Sequence, residues 1–247
     1  MRQAVKAGLL VLLVLLIDQS IKIWVKTHMV YGEEIPLFGL PWALIHFVEN
    51  NGMAFGISLG GEYGKLALSL FRILAVIFLV LFMRQLIREN ISWGVLGSFS
   101  LILAGAIGNI LDSAFYGIIF SESAGHELAR LFPPEGGYSS FLHGKVVDML
   151  YFPIISGYWP DWVPIVGGRY YQFFKPVFNI ADFAITLGVL NILFFQRSFL
   201  SSKIIHSEPE KDNENTEPEE EISSDLADSA AVDSLQPLEN PETPAGG

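Results

Sequence analysis

Four stretches of the chain are almost entirely apolar, and each is long enough to cross a membrane as a helix. They cover about residues 7–25, 66–87, 94–111 and 178–195. The hydrocarbon core of a bilayer is about 30 Å thick, so a spanning helix needs roughly 20 such residues. The pattern predicts an α-helical polytopic membrane protein with four transmembrane helices, in a membrane-embedded domain over residues 1–204.

The first stretch has the look of a cleaved leader, because Arg2 and Lys6 precede it. No small-residue cleavage site follows it, whereas three further apolar stretches do, so we expect it to be retained as a span. Basic residues near the span ends collect on one side, which the positive-inside rule assigns to the cytoplasm. We therefore expect both termini to be cytoplasmic and the connections 27–65 and 113–177 to face outward.

The two outward connections differ in composition. Residues 31–60 combine aromatic residues and glycine with short alternating stretches such as LIHFVEN, which predict a small β-rich element on the membrane surface. Residues 113–177 are rich in Tyr, Trp, Phe, Pro and Gly, the composition of an interfacial segment whose rings prefer the lipid headgroup level.

The formal charge of −11 belongs to the end of the chain. Residues 205–247 hold 13 of the 26 acidic residues and a single basic one, Lys211, and almost no aromatic residues. Such a segment buries too little apolar area to offset its chain entropy, which predicts an acidic, disordered cytoplasmic tail. No basic or aromatic-interleaved stretch suggests a nucleic-acid partner, and the absence of cysteine excludes disulfides, thiolate metal sites and thiol catalysis.

Polar side chains that are costly inside a membrane recur at one depth, at the outer ends of the predicted spans. This clustering from separate spans indicates a site, because polar groups that serve only helix–helix contacts have no reason to share a depth. The residues concerned are Asp18, Gln19, Lys22, Asn109, Asp112, Asn179 and Asp182, with Lys145 and Asp148 in the outer segment just before the last span.

Several of these residues have structural explanations that compete with a chemical role. Asp18 and Lys22 are spaced i, i+4 and can form a simple ion pair, which we favour over direct chemistry. Asn109 and Asn179 can equally well be interhelical hydrogen-bonding residues. Asp112 can cap a helix or pair with a neighbour.

The structural explanation is weakest for Asp148 and Asp182, which lie in the apolar contexts VVDML and NIADFAI. An aspartate in apolar surroundings has a raised pKa and needs a partner. Two such aspartates that face each other would share a proton, the arrangement that acid–base hydrolysis requires.

Other classes of protein fit less well. The segment HELAR, 126–130, begins like a zinc motif but has Arg130 where the second histidine is needed, so we expect no metal and no cofactor. No serine occurs in an activated setting near Lys22. A transporter would show internal repeats and a site at the bilayer midplane. A lipid-handling scaffold without catalysis remains open.

Five sequence blocks carry a resemblance to a known family. They are DQSIK (18–22), ENNGMAFG (49–56), GNILDS (108–113), VVDM (146–149) and FNIADFAI (178–185). In this order, on four spans, they resemble the lipoprotein signal peptidases, also called signal peptidase II. The resemblance implies a bacterial inner-membrane aspartyl endopeptidase with four transmembrane helices, a small extracytoplasmic β-cradle and a surface helix.

The resemblance also implies a substrate and a set of site residues. The substrate would be a prolipoprotein with a diacylglyceryl-modified cysteine, cut on the amino side of that cysteine by a water that two aspartates activate. The other expected partner is membrane lipid, and we expect a monomer. The family's catalytic pair falls on Asp148 and Asp182. Its supporting positions fall on Asp18, Lys22, Asn50, Gly52, Asn109, Asp112, Asn179 and Ala181.

The chain departs from the family pattern at several points. Ser113 stands where the family has arginine directly after the aspartate of the GN-x-x-D block, so Asp112 lacks its usual ionic partner. Lys145, Arg130 and Arg169 are the candidates to replace it. The connections 113–145 and 153–177 are longer than in most of the family, as in its Bacteroidetes-like members, and the acidic tail is additional.

Overall fold

The computed structural model describes residues 2–51, 61–199 and 201. Four helices of more than three turns form its framework: α1 (Arg2–His28), α2 (Gly61–Arg88), α3 (Trp93–Leu111) and α5 (Ile180–Phe195). Each contains or nearly matches one of the predicted spans. The tail at 205–247 and Gly52 lie outside the described residues.

Three helical stretches are long and apolar enough to cross a membrane. They are Arg2–His28, Gly64–Arg88 and Trp93–Ile119, the last of which continues α3, and their mean hydropathies are 2.0, 2.7 and 1.8. The fourth, α5, is equally apolar but has only 16 residues, or about 24 Å of helix. Large apolar side chains point outward around the bundle, where a soluble protein would place polar ones. Examples are Leu9, Leu13 and Leu16 on α1 and Phe71, Leu74 and Phe78 on α2. The architecture is that of a polytopic membrane protein.

Helix α3 ends in an irregular stretch that carries part of the polar cluster. A wider π-type turn follows it over Asp112–Tyr116, and then the single turn α4 (Gly117–Ile119). Turns of this kind widen the helix locally and are common at functional sites. Here the turn buries the Asp112 side chain completely.

A four-stranded antiparallel sheet joins the two connections that the sequence places on one side of the membrane. It comprises β1 (Glu34–Pro36), β2 (Leu44–Asn50), β3 (Val146–Tyr151) and β6 (Val177–Phe178), in the order β1-β2-β3-β6. Strands β1 and β2 fall in the segment predicted to be β-rich. The pairing of β2 with β3, with Val48 opposite Asp148, links residues about a hundred positions apart.

The longer outer connection contains more regular structure than its composition indicates. Besides β3 and β6 it includes a separate hairpin of β4 (Ile155–Tyr158) and β5 (Tyr170–Phe173). The apolar core beneath the main sheet combines the end of α1 with the π-type turn and β3. Its buried members are Val25, Met29, Phe47, Tyr116, Phe120, Val147 and Met149.

Candidate active site

The Lys22 ammonium is the centre of the buried polar cluster. Its side chain is inaccessible to solvent, and its Nζ lies 3.0 Å from Asp18 Oδ2 and 2.9 Å from Asp112 Oδ2. It also donates a 3.0 Å hydrogen bond to Asn109 Oδ1. An ammonium in a water-free setting is tolerated only when all its protons are paired, and three acceptors meet that need here.

Lys22 therefore supplies the cation beside Asp112, so the expectation that Lys145, Arg130 or Arg169 takes this role is wrong. The Lys145 ammonium instead lies 3.3 Å from a carboxylate oxygen of Glu122 and 3.8 Å from one of Glu49. The physical reason is that the Lys22 ammonium is close enough to contact both carboxylates. The i, i+4 spacing puts Lys22 beside Asp18 on α1, and the packing of α1 on α3 then brings Asp112 to the same ammonium.

Asp112 also fixes the strand that carries Asp148. Its Oδ2 accepts a hydrogen bond of 3.2 Å from the backbone N–H of Val147, the residue before Asp148. Gln19 Nε2 donates to Asp112 Oδ1 at 2.9 Å, and the Tyr116 hydroxyl donates to Gln19 Oε1 at 3.2 Å. The sequence placed Gln19 in the polar cluster but gave it no role, and Tyr116 had no polar signal that would have identified it.

Asp18 fixes the start of α5 in the same way that Asp112 fixes β3. Its Oδ1 accepts a 2.9 Å hydrogen bond from the backbone N–H of Ala181. Asn179 caps the same helix, because its side-chain Oδ1 accepts a 2.9 Å hydrogen bond from the backbone N–H of Asp182. A side-chain oxygen at this position satisfies a helix N–H that would otherwise lack a partner. Together the two contacts set the position from which Asp182 projects.

Asp148 is held on both carboxylate oxygens by amides. Asn179 Nδ2 donates to Oδ1 at 2.7 Å, and Asn50 Nδ2, at the end of β2, donates to Oδ2. Only 2% of the residue is exposed. Burial, and after it the neighbouring charge of Asp182, raises the pKa of the Asp148 carboxyl to about 7.

A chain of amides connects Asp148 to Asp182. Asn179 Nδ2 also donates to Asn109 Oδ1 at 3.1 Å, and Asn109 Nδ2 donates to Asp182 Oδ1 at 2.8 Å. Asp182 is partly exposed, whereas Asp148 is buried. The two carboxylates thus lie at one edge of the cluster, on rigid elements and linked through two side chains. Such an arrangement can hold and transfer a proton.

The structure brings together all the site residues expected from the sequence that it describes. Asp18, Lys22 and Asp112 form the ionic centre, while Asn109 and Asn179 link it to the aspartates. Asn50 approaches from the sheet, and Ala181 contributes its backbone N–H. Gly52 lies outside the described residues.

A second buried ionic group lies beside the first and was not expected. Lys26, four residues after Lys22, pairs with Glu49 and donates a 2.8 Å hydrogen bond to the Ser123 hydroxyl. Its ammonium lies 5.4 Å from the ring centre of Phe120 and 5.0 Å from that of Tyr138. This group ties the end of α1 to β2 and to the outer connection, next to Asn50.

The segment HELAR, 126–130, is the part of the sequence that begins like a zinc motif. Residues 127–130 are not helical, so His126 and Arg130 do not share a helical face. Within residues 2–51, 61–199 and 201, no group of three or more His, Cys, Asp or Glu side chains is placed to hold a metal ion.

Comparison with known proteins identifies the family. The family model for signal peptidase (SPase) II matches residues 10–198. A lipoprotein signal peptidase of Porphyromonas gingivalis is 52% identical over 185 residues, which is 74% of this chain and 79% of that protein. One of Amoebophilus asiaticus is 40% identical over 196 residues, 78% of each chain.

A solved structure shares the fold. A bacterial membrane enzyme determined by the in meso method matches with a TM-score of 0.50 and 22% identity, over 83% of this chain and 93% of that one. The family model covers more than half of the chain, and the Porphyromonas and Amoebophilus relatives match along most of their length. The chain therefore belongs to the signal peptidase II family, a family of membrane proteases that process lipoprotein precursors.

Proposed function

We propose that this chain is an intramembrane aspartyl endopeptidase in which Asp148 and Asp182 activate a water molecule. It removes the signal peptide of a diacylglyceryl-modified prolipoprotein and cuts on the amino side of the lipidated cysteine. One observation carries the proposal. Two aspartates from different elements converge in a largely buried site, and amides join them.

The reaction needs a base for the water and an acid for the substrate. One carboxylate takes a proton from water while the other gives its proton to the scissile carbonyl oxygen, which yields a gem-diol. As the diol collapses, one of its hydroxyl groups returns a proton to the second carboxylate and the C–N bond breaks. The amine of the cysteine leaves with the proton that the first carboxyl group took from water. Which aspartate starts with the proton is a property of the pair. No side chain attacks the carbonyl carbon, so no acyl-enzyme forms.

The unequal burial of the two aspartates supports this division of labour. The raised pKa of Asp148 keeps a proton available near neutral pH. Asp182 is partly exposed and lies in the first turn of α5. Environments that differ in this way allow two identical groups to serve as acid and base.

The substrate must present an extended backbone to this pair. A helical signal peptide has all its backbone groups paired, so it must unwind near the scissile bond. Asn50 ends β2 at the edge of the site and is placed to meet a freed backbone group. Asn109 and Asn179 hold the aspartates in position, and Gly52 is expected to allow close approach of the outer loop.

The membrane arrangement follows from the same charges and hydropathy. We propose that α5 is the fourth span, that both termini lie in the cytoplasm, and that the site lies near the outer face of the bacterial inner membrane. The four-stranded sheet then forms the extracytoplasmic cradle. We expect a monomer that uses neither metal nor cofactor and binds no nucleic acid.

The test is cleavage of a purified diacylglyceryl-modified prolipoprotein, read as a gel shift. Wild-type protein should release the signal peptide, and millimolar EDTA should leave the rate unchanged. The double variant Asp148→Asn/Asp182→Asn should be inert while it still inserts and binds substrate. Cleavage that EDTA abolished and zinc restored would contradict the aspartyl mechanism, and a fully active double variant would rule it out.

A further inference from the structure

Helix α2 carries one basic residue in the middle of its apolar length. Arg72 interrupts the run LALSLFRILAVIFLVLF, seven residues after Lys65 and twelve before Arg84. A charged residue at such a position within a span is costly and marks a functional pathway by default. The reaction outlined above assigns Arg72 no role.

Contacts of the preceding turns show which way Arg72 faces. The Ser69 hydroxyl donates a 3.1 Å hydrogen bond to the carbonyl of Leu142, and Lys65 Nζ donates one of 2.6 Å to the carbonyl of His143. Both carbonyls lie in the segment that leads into β3. Residues three and seven positions apart share a helical face, so Arg72 follows Lys65 and Ser69 on the side of α2 that faces the site.

The burial along α2 agrees with this orientation. Arg72 is half-buried, whereas its neighbour Phe71 is 69% exposed and Leu74 is 65% exposed. The two large apolar side chains therefore point to lipid, and the guanidinium lies on the inner side of the helix. A long cationic side chain that served only to reach the headgroups would take the lipid face instead.

The charges that act on the guanidinium are those of the site. Its electrostatic interactions are with Asp182 first, then Asp112 and Asp148. Asp112 already has an ion pair with Lys22 at 2.9 Å. Among residues 2–51, 61–199 and 201, no basic nitrogen lies within 4 Å of Asp148 or Asp182, whose close partners are amides. Arg72 thus adds positive potential on the α2 side of the two aspartates, and its nitrogens lie more than 4 Å from their carboxylate oxygens.

We infer that Arg72 binds a carbonyl oxygen of the substrate beside the catalytic aspartates. This inference rests on the proposed function. A guanidinium has five N–H donors and no acceptor, so its ligand must be an acceptor. At this depth a lipidated precursor offers carbonyl oxygens from two sources, the unwound peptide backbone and the esters of its diacylglyceryl group. Arg72 therefore orients the precursor across the site from Asp148 and Asp182.

The experiment measures kcat and KM for Arg72→Gln, with Arg84→Gln as the matched control, since Arg84 is an exposed arginine on the same helix. Loss of a charge-assisted hydrogen bond should raise KM by about tenfold or more, and Arg84→Gln should leave it unchanged. Arg72→Lys keeps the charge but loses the fork of donors, so its KM should fall between the two. Thermal unfolding of each variant is measured alongside.

A second substrate separates the two sources of the carbonyl. On a precursor with ether-linked chains, which lack the ester carbonyl, Arg72→Gln should raise KM as before if the ligand is a peptide carbonyl. It should have no further effect if the ligand is the ester. Loss of the nearby positive charge should also move the alkaline limb of the kcat–pH profile to higher pH, because the aspartate pair then holds its proton more tightly.

The inference fails if Arg72→Gln changes neither KM on either precursor nor the pH dependence of kcat. This outcome counts against the inference alone when Asp148→Asn is inactive, because the proposed function then still holds. The inference also fails if Arg72→Gln lowers the unfolding temperature but the folded fraction binds and cleaves normally. If Arg72→Gln does not fold, an unchanged KM for Arg72→Lys overturns the inference. Activity in the Asp148→Asn variant would instead contradict the proposed function.

Discussion

Asp148 and Asp182 have unlike surroundings although the same amides join them. Asp148 lies inside a strand with both oxygens bonded, and Asp182 lies in the first turn of a helix with its side chain partly exposed. The proposed catalytic pair would act as a unit, so removal of either member should lower turnover nearly as much as removal of both.

We expect Asp148→Asn and Asp182→Asn each to lower single-turnover cleavage by about a thousandfold, within the range typical of general acid–base catalysis. The double variant should be little worse than either single one. Asn has nearly the shape of Asp, so the change removes proton transfer and leaves the packing. Asp161→Asn, at an exposed aspartate, is the control. Rates are normalised to folded protein in nanodiscs, and a near-wild-type rate for either variant would make Asp112 the next residue to test.

The raised pKa of Asp148 predicts the pH dependence of turnover. The pair needs one proton, and it loses that proton as the pH rises through about 7. We therefore expect kcat to fall above about pH 7. Measurement of kcat from pH 5 to 9 checks this, and a rate that kept rising to pH 9 would contradict it.

The same shift predicts a stability effect. The unfolded Asp148 carboxyl has a pKa of about 4 and the folded one about 7. Between these two values the folded protein holds the carboxyl proton and the unfolded chain has lost it. The free energy of unfolding that Asp148 contributes is therefore fully present below about pH 4 and is lost as the pH rises through about 7. Asp148→Asn should accordingly unfold at a higher temperature than wild type at pH 8, and the difference should vanish near pH 4.

Lys22 is a structural residue whose loss should act on folding. Lys22→Met leaves two buried carboxylates, Asp18 and Asp112, without their cation. Breaking a buried ion pair on one side costs about 3–5 kcal/mol. We expect a large drop in unfolding temperature in detergent, partly recovered in Lys22→Met/Asp112→Asn, with residual activity in the protein that folds. Full stability in the single variant would show that water or ions reach the cluster.

At the scale of elements, the site depends on how closely α3 and α5 approach. Gly105 faces the backbone of Ala181, and a Cβ there would overlap with the Ala181 carbonyl oxygen. A Cβ at Gly108 would lie 2.8 Å from Asp18 Oδ2. Small residues permit this contact between membrane helices, and it brings Asn109 to Asp182.

Gly105→Ala should therefore push α5 away from α3 and lower turnover. It should also lower the free energy of unfolding by about 1–3 kcal/mol, as other overpacked contacts do. Gly8→Ala is the matched control, because Gly8 has nothing within 4 Å of the added methyl group and lies inside α1. There alanine should be neutral or stabilising. Thermal unfolding and cleavage rate are measured for both, and equal behaviour would mean that the helices adjust at no cost.

At the scale of the whole molecule, the site uses residues between 18 and 182, and the acidic segment follows them. We expect a truncation after Ile205 to insert and cleave like the full chain, because every site residue proposed above precedes that segment and its charge is expected on the cytoplasmic side. Cleavage per folded protein is the measurement. A folded truncation that lost most of its activity would show that the acidic segment takes part in catalysis or substrate delivery.

The sequence by itself determined the elements that depend on local properties. Hydropathy over about 20 residues located the apolar helices, because the bilayer requires length and composition rather than a particular packing. The i, i+4 spacing of Asp18 and Lys22 predicted their pair, since helical geometry sets that distance. The polar blocks showed which residues to consider, and the alternating stretch near residue 45 predicted strands.

Only the tertiary structure decided how these residues combine. Nothing in the sequence indicated that Lys22 serves Asp112 as well as Asp18, that Asn179 and Asn109 connect the two aspartates, or that Arg72 faces them. The composition of 113–177 also did not indicate β3, because a strand is stabilised by its partner and β2 lies about a hundred residues away. These features are contacts between distant segments, and their geometry arises only when α1, α3, α5 and the sheet pack together.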